Sequence, residues 1–101
     1  MRQLTFLFSG AGQVKWTPER NYTLLFFEGN TTGVYWITSN PSRVSTDLTA
    51  PASNGTIEDI IAYLANGSTT VRPNGAHAEF DAGVPIYVNG GGLGSCTLYL
   101  R

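Results

Sequence analysis

The chain opens with hydrophobic and polar residues in the alternation of a half-buried β-strand. In segment 3–9 (QLTFLFS), Leu4, Phe6 and Phe8 share one side of such a strand. Glycines then turn the chain, and segment 13–17 (QVKWT) resumes the same alternation. These two segments predict a first pair of short strands.

Two further segments, 22–28 (YTLLFFE) and 33–38 (GVYWIT), are apolar on both faces, and the loop between them is typical of a hairpin. A chain of 101 residues lacks the material to cover both faces of every strand. Core packing is expected for Trp16 and for one member of the Tyr35 and Trp36 pair, since neighbours in a strand point to opposite sides. The outward member then needs a partner or a covering element.

One segment has the period of a helix instead. Thr56 is suited to an N-cap, and an asparagine and glycine at 66–67 are suited to a helix end. We therefore predict one short amphipathic α-helix at about 57–65. Its apolar residues follow the spacing i, i+3, i+4, i+7: Ile57, Ile60, Ile61 and Leu64.

The last two apolar segments, 84–88 (VPIYV) and 94–100 (GSCTLYL), are separated by a glycine-rich turn. Glycine permits the backbone angles of a tight reversal, so we predict a terminal hairpin in which the last strand pairs with its neighbour. Tyr87 and Tyr99 are predicted to project together from the outer face of this hairpin, beside Thr97, as a cross-strand aromatic arrangement.

The spacing of these segments predicts the fold class. About seven or eight short strands at intervals of about eight to twelve residues, interrupted once by a helix, indicate an all-β antiparallel β-sandwich that is jelly-roll-like. The length allows a single domain, residues 1–101, because there is no material for a second core.

Charge and hydropathy narrow the classes of partner. The formal net charge is -1 and only 13% of residues are charged, so nucleic acid is not an expected partner. No apolar run approaches the roughly 20 residues that a membrane span needs, and the N-terminal segment lacks the apolar core of a signal peptide. We expect a chain made in the cytoplasm that does not enter a membrane. Weak surface charge also favours packing against other proteins.

Reactive side chains are scarce. Cys96 is the only cysteine and His77 the only histidine. A catalytic triad would use Cys96 as the nucleophile, His77 as the base and Glu79 or Asp81 as the acid behind the histidine. Cys96, however, is predicted to face the core as a small apolar residue, and His77 is expected to be an ordinary strand or turn residue. We predict no enzymatic activity, no catalytic residue, no metal and no cofactor.

The ending "VPIYV", glycine-rich turn and "GSCTLYL", together with the opening "LTFLFSGAG" followed by "VKW", resembles small β-sandwich structural proteins of tailed bacteriophages, especially capsid decoration (cement) proteins. The resemblance implies a protein located in the virion that binds a capsid lattice, with the major capsid protein as partner. It also implies a homo-oligomer without a cofactor.

These observations lead to two functional hypotheses. The first is a capsid decoration protein that stabilises the lattice, with Tyr35, Tyr87 and Tyr99 as interface candidates. The second is a carbohydrate-binding, tail-fibre or receptor-binding module, in which exposed aromatic rings near asparagine and aspartate bind sugars. An exposed aromatic residue flanked by amides favours sugar binding, whereas aromatics buried between identical chains favour the structural role.

Overall fold

The computed structural model describes residues 1–29, 34–39, 60–64, 70–71 and 78–101. In these residues the secondary structure is entirely β. The strands are β1 (Arg2–Phe8), β2 (Gly12–Trp16), β3 (Tyr22–Gly29), β4 (Tyr35–Thr38), β5 (Ile60–Leu64), β6 (Thr70–Val71), β7 (Ala78–Phe80), β8 (Ile86–Gly90) and β9 (Gly94–Leu100).

The strands form two antiparallel sheets. The first has the order β1-β9-β3, and β6 and β7 share the remaining edge of β3, so that this sheet is four strands wide. Within that edge, β6 pairs with Phe27 and Glu28, while β7 pairs with residues 22–24. The second sheet has the order β2-β8-β4-β5. The predicted all-β antiparallel sandwich is confirmed.

The predicted hairpins are wrong. β1 pairs with β9 and β2 pairs with β8, so the first two strands lie in different sheets. The last two strands likewise lie in different sheets, as do β3 and β4. Alternation of apolar residues is the same whether a strand pairs with the next one or crosses to the opposite sheet. Gly94 has a φ of 151°, which glycine readily adopts, at the point where the chain passes from β8 in the second sheet to β9 in the first.

The predicted helix at about 57–65 is also wrong, since residues 60–64 form strand β5; the other residues of that prediction lie outside the described ranges. β5 pairs with β4 and places Ala62 and Leu64 in the core. A short apolar run satisfies both the helical and the strand period. Pairing with β4 decides between them, because an edge of that strand would otherwise lack backbone partners.

The core lies between the sheets and follows the alternation along each strand. Phe6 and Phe8 point inward from β1 while Leu7 points outward, as predicted. Cys96 is 1% exposed within this core, so its prediction as a small buried residue is confirmed. Each fully buried large side chain contributes about 1.5–3 kcal/mol. No helix suited to crossing a membrane occurs in the described ranges.

A bulge in β3 determines which of two adjacent phenylalanines is buried. The register with β9 shifts between Leu24 and Phe26, so that Leu24 and Phe27 both face the core. Phe26 instead lies opposite Tyr99, on the outer side of the sheet. An uninterrupted period of two from Leu24 would have turned Phe26 inward.

Candidate functional site

The predicted interface tyrosines occupy three different environments. Tyr35 is 0% exposed and packs inside the core, with its ring centroid 6.0 Å from that of Phe8. Tyr35 therefore has no exposed surface that a partner could contact. Tyr87 and Tyr99 are each half-buried, on β8 and β9.

Tyr87 and Tyr99 do not form the predicted cross-strand arrangement. The neighbours of Tyr87, Ile86 and Val88, point into the core, so Tyr87 projects from the outer side of the second sheet. Tyr99 projects from the outer side of the first sheet by the same argument. The two residues lie on opposite faces of the sandwich and belong to two separate surfaces.

We call the surface around Tyr99 the first outer face, formed by Thr5, Leu7, Phe26, Thr97 and Tyr99. Thr5 and Thr97 are opposite each other in the register, and their hydroxyl oxygens lie 2.9 Å apart in a hydrogen bond. The Tyr99 and Phe26 rings are 6.4 Å apart in an edge-to-face arrangement. Leu7 is 78% exposed.

Glu28 positions Tyr99 on the first outer face. The Tyr99 hydroxyl donates a hydrogen bond to Oε1 of Glu28 at 2.7 Å. This contact and the packing on Phe26 hold the tyrosine ring in one orientation, which lowers the entropy that a partner must remove on binding. Aromatic side chains are enriched in the central part of protein interfaces.

The hydrogen bond to Glu28 also raises the pKa of Tyr99 above its ordinary value of 10.0, with smaller contributions from desolvation and from the Glu28 charge. We expect Tyr99 to ionise later than an ordinary tyrosine in an ultraviolet titration, and Glu28→Gln to lower its pKa. Because the folded-state pKa is raised, the stabilisation is present at neutral pH and is lost as pH rises through that pKa. Tyr99→Phe identifies the signal; an unchanged Tyr99 titration in Glu28→Gln would contradict the assignment.

We call the surface around Tyr87 the second outer face, and the register arranges it in two rows. Tyr87 lies opposite Lys15 on one side and Thr38 on the other. In the adjacent row, Asn89 lies between Gln13 and Trp36. Gln13 donates a hydrogen bond from Nε2 to Oδ1 of Asn89 at 3.3 Å.

Of the neighbours Tyr35 and Trp36, Trp36 is the one that points away from the core, as predicted for one of the two. Although it projects from the outer side of β4, it is 0% exposed. Its Nε1 and the Nδ2 of Asn89 are buried without a hydrogen-bond partner in the structure. The sequence pattern predicts no role for Asn89 and does not reveal this row, because the row requires β2, β8 and β4 to be neighbours.

A cluster of charged and aromatic residues closes one end of the sandwich. Arg2 donates to Glu19 and to the hydroxyl of Tyr22, and Tyr22 itself donates to Glu19, which lowers the pKa of that carboxyl. The Arg2 guanidinium lies 5.9 Å from the ring centroid of Trp16. Trp16 is partly buried against the core, as predicted. These groups satisfy one another, so the cluster has a structural explanation.

The residues considered for catalysis are not assembled into a reactive site in the part of the chain described here. Burial raises the pKa of the Cys96 thiol to about 12, which keeps it protonated at neutral pH. His77 lies outside the described residues. Among the residues with described positions, no three potential metal ligands come together.

Comparison of the chain with protein-family models, with curated proteins and with solved structures finds no match in any of the three.

Proposed function

We propose that this chain is a non-enzymatic structural protein of a virion, of the capsid decoration type. In this role it binds a lattice of the major capsid protein through oligomeric contacts and stabilises it. The observation that carries the proposal is the first outer face, which exposes 78% of Leu7 and carries the ordered Tyr99 and Phe26 pair two rows further along the sheet. Burial of such a side chain in an assembly would be favourable, because it removes apolar surface from water.

The strand order supports the finer part of the proposal, a jelly-roll topology. Eight-stranded jelly rolls have two sheets built from two Greek keys. Here the chain alternates between the sheets at β1 to β4 and again from β7 to β9. The first outer face has exposed apolar surface, at Leu7, for contacts with neighbours.

Binding of this kind stabilises a lattice by mass action. A protein that binds only the assembled state stabilises that state by a free energy that grows with the logarithm of its concentration relative to Kd. Symmetric oligomers repeat one patch on each subunit, so a weak contact on the first outer face is multiplied over the lattice.

The proposal is tested by replacing Leu7 with lysine. Leu7→Lys places a charge at an exposed position whose backbone neighbours are unchanged, so folding is expected to be retained. We expect light scattering to show an oligomer for the unmodified chain, and sedimentation to show its association with undecorated capsid shells. Leu7→Lys should weaken the association at least about tenfold, because a buried charge without a partner is costly.

Val84→Lys is the matched control. Val84 is also an exposed apolar residue, at 51%, but it lies near the opposite end of the sandwich, where its amide bonds to the carbonyl of Asp81. We expect this variant to associate normally. A monomeric chain that does not sediment with shells would overturn the proposal, as would equal losses in the two variants.

The second outer face favours a second candidate function, carbohydrate binding. Tyr87 is half-buried between Lys15 and Thr38, and the exposed amide of Gln13 lies in the adjacent row, where it donates to the buried Asn89. An aromatic ring beside amide groups is suited to a sugar, whose faces are apolar and whose edges carry hydroxyl groups.

A further inference from the structure

Among the described edge strands, β1 alone has no feature that prevents pairing with another chain. Edge strands offer unpaired backbone donors and acceptors, and folded proteins protect them by short length, by lysine or by irregular pairing. Of the other edges, β6 and β7 have two and three residues, β2 carries the exposed Lys15, and the register of β5 with β4 shifts. The seven residues of β1 pair with β9 in unbroken register and include neither proline nor lysine.

The outward residues of β1 show that this edge is accessible. Gln3, Thr5 and Leu7 are all exposed, whereas Thr97, on the same face of the neighbouring β9, is half-buried. In an edge strand, every second residue directs its N–H and C=O groups away from the neighbouring strand. These groups are available to a further strand.

The side of the sandwich formed by β1 and β2 is also incompletely closed. Only residues 9–11 join these two edge strands, so their edges lie on the same side. Leu4 points toward the core from β1 but is only half-buried, whereas Leu98, opposite it on β9, is 0% exposed. Val14 of β2 is likewise half-buried beside Val88, which is 0% exposed. An additional strand at this side would remove apolar surface from water.

The β1 strand is complementary to itself in an antiparallel arrangement. A two-fold axis at Thr5, its middle residue, pairs all seven residues of one copy with seven of the other. Opposite residues then point to the same side of the sheet. On the core side, the half-buried Leu4 lies opposite Phe6 of the second copy, and on the outer side Gln3 lies opposite Leu7.

Charge does not oppose this pairing. Arg2 is the only charged residue of β1, and it bonds to Glu19 and Tyr22 of its own chain. The axis at Thr5 places Arg2 opposite Phe8, so the two arginines lie at far ends of the strand pair. The formal net charge of -1 makes repulsion between whole chains weak.

We propose that β1 pairs antiparallel with β1 of a second copy across a two-fold axis at Thr5, which joins the first sheets of two chains into one continuous sheet. This inference rests on the oligomeric contacts of the proposed function and identifies one of them. The axis runs perpendicular to the sheet, so the first outer faces of the two copies point in the same direction. A dimer therefore presents that face twice to a lattice, which raises the avidity of binding.

The expected interface is small. Seven residues of strand are about 23 Å long, and two sheets about 10 Å apart give this side of the sandwich a width of about 20 Å. Two such sides bury about 1,000 Å² in total, which is at the lower end for specific interfaces. We therefore expect a dimer with a Kd in the micromolar range that exchanges with the monomer.

Sedimentation equilibrium of the full chain, without capsid shells, tests the dimer. Between about 10 and 300 μM, we expect the unmodified chain to change from monomer to dimer. Thr5→Lys places two lysines directly opposite each other at the axis, where like charges are destabilising, and should raise the Kd at least about tenfold. Because Thr5 is exposed, the variant is expected to fold, which circular dichroism verifies.

Thr97→Lys is the matched control. The hydroxyl groups of Thr5 and Thr97 share one hydrogen bond, so each variant loses that bond and gains one lysine. Thr97 lies on β9, one strand away from the edge, so its replacement should leave the Kd within about twofold. If Thr97→Lys does not fold, Thr97→Val measures the effect of the lost hydrogen bond.

A cysteine cross-link tests the position of the axis. Opposite residues of antiparallel strands have Cα atoms about 4.5–5.5 Å apart, within the range of a disulfide. Thr5→Cys should therefore form a covalent dimer on mild oxidation. Gln3→Cys should not, because its two copies would lie about 13 Å apart. Cys96 is buried, so the unmodified chain should not cross-link.

A chain that stays monomeric over this concentration range would overturn the inference, as would a dimer that Thr5→Lys and Thr97→Lys weaken equally. Cross-linking of Gln3→Cys and not of Thr5→Cys would overturn the axis at Thr5. A monomer whose β1 amides become protected from hydrogen exchange only on capsid shells would assign the edge to a strand of another protein.

The dimer and the proposed function can fail separately. Dimerisation is measured without shells, and a monomer that still sediments with shells would overturn the dimer alone. Leu7→Lys is expected to dimerise, because the new lysine lies opposite Gln3 of the second copy and not opposite another lysine. A dimer that does not associate with shells would overturn the decoration role alone.

Discussion

Replacing Phe27 with alanine is expected to lower the free energy of unfolding by about 3–5 kcal/mol. The Phe27 side chain is 0% exposed, faces the core from β3 and lies opposite Leu98 of β9. Its removal leaves a cavity between the sheets that the surrounding residues fill only in part. Domains of this size are stable by about 5–15 kcal/mol in total, so the loss is a large fraction. Chemical denaturation measured by tryptophan fluorescence gives the change directly.

Phe26→Ala is the matched control, since it removes the same side chain one position earlier. Phe26 is half-buried on the outer side of the sheet, where its ring contacts Tyr99. We expect a loss of about 1 kcal/mol, from the aromatic pair and partial burial. The two variants together test the bulge in β3: a larger loss for Phe26→Ala than for Phe27→Ala would show that the bulge is absent.

Replacing Gly90 with alanine is expected to destabilise the fold by about 1–3 kcal/mol through overpacking. A Cβ atom at this position would lie 2.8 Å from Cγ of Phe8, whose ring packs over β8 from the opposite sheet. Gly90 does not have a positive φ, so the effect is one of space and not of backbone conformation. Thermal unfolding followed by circular dichroism measures it.

Gly92→Ala provides the comparison, because no heavy atom lies within 4 Å of a Cβ built there. We expect this change to stay within about 0.5 kcal/mol of the unmodified chain. In addition, Phe8→Leu combined with Gly90→Ala should be less destabilising than the sum of the single changes, since the smaller side chain makes room. Strict additivity would show that Phe8 is not the residue in conflict.

The separation of Tyr87 from Tyr99 has a functional consequence. A terminal hairpin would have presented both rings to one partner, whereas the sandwich presents them to opposite sides. The first outer face carries apolar side chains and hydroxyl groups. The second carries amide groups, a lysine and the two buried hydrogen-bond donors of Trp36 and Asn89. The proposed contact with an assembly and the proposed binding of a carbohydrate therefore involve different faces, and substitutions on the two faces are expected to act independently.

Sequence reasoning located the first outer face only in part. Tyr99 and Thr97 follow from the alternation along the last strand, and Leu7 follows in the same way from the first. Phe26 does not, because the bulge between Leu24 and Phe26 reverses the side on which it lies. Glu28 could be assigned no role, since its hydrogen bond to Tyr99 joins residues 71 positions apart.

The sequence by itself determined the fold class and most of the buried positions, because a period of two specifies which side chains leave water wherever the strand runs. It also determined that Cys96 is a core residue and that either Tyr35 or Trp36 had to point outward. Only the tertiary structure decided which strands are neighbours. Every strand offers the same backbone donors and acceptors, so its hydrogen bonds do not specify which strand it pairs with. That pairing made residues 60–64 a strand, separated the two tyrosines, and brought Gln13, Asn89 and Trp36 into one row.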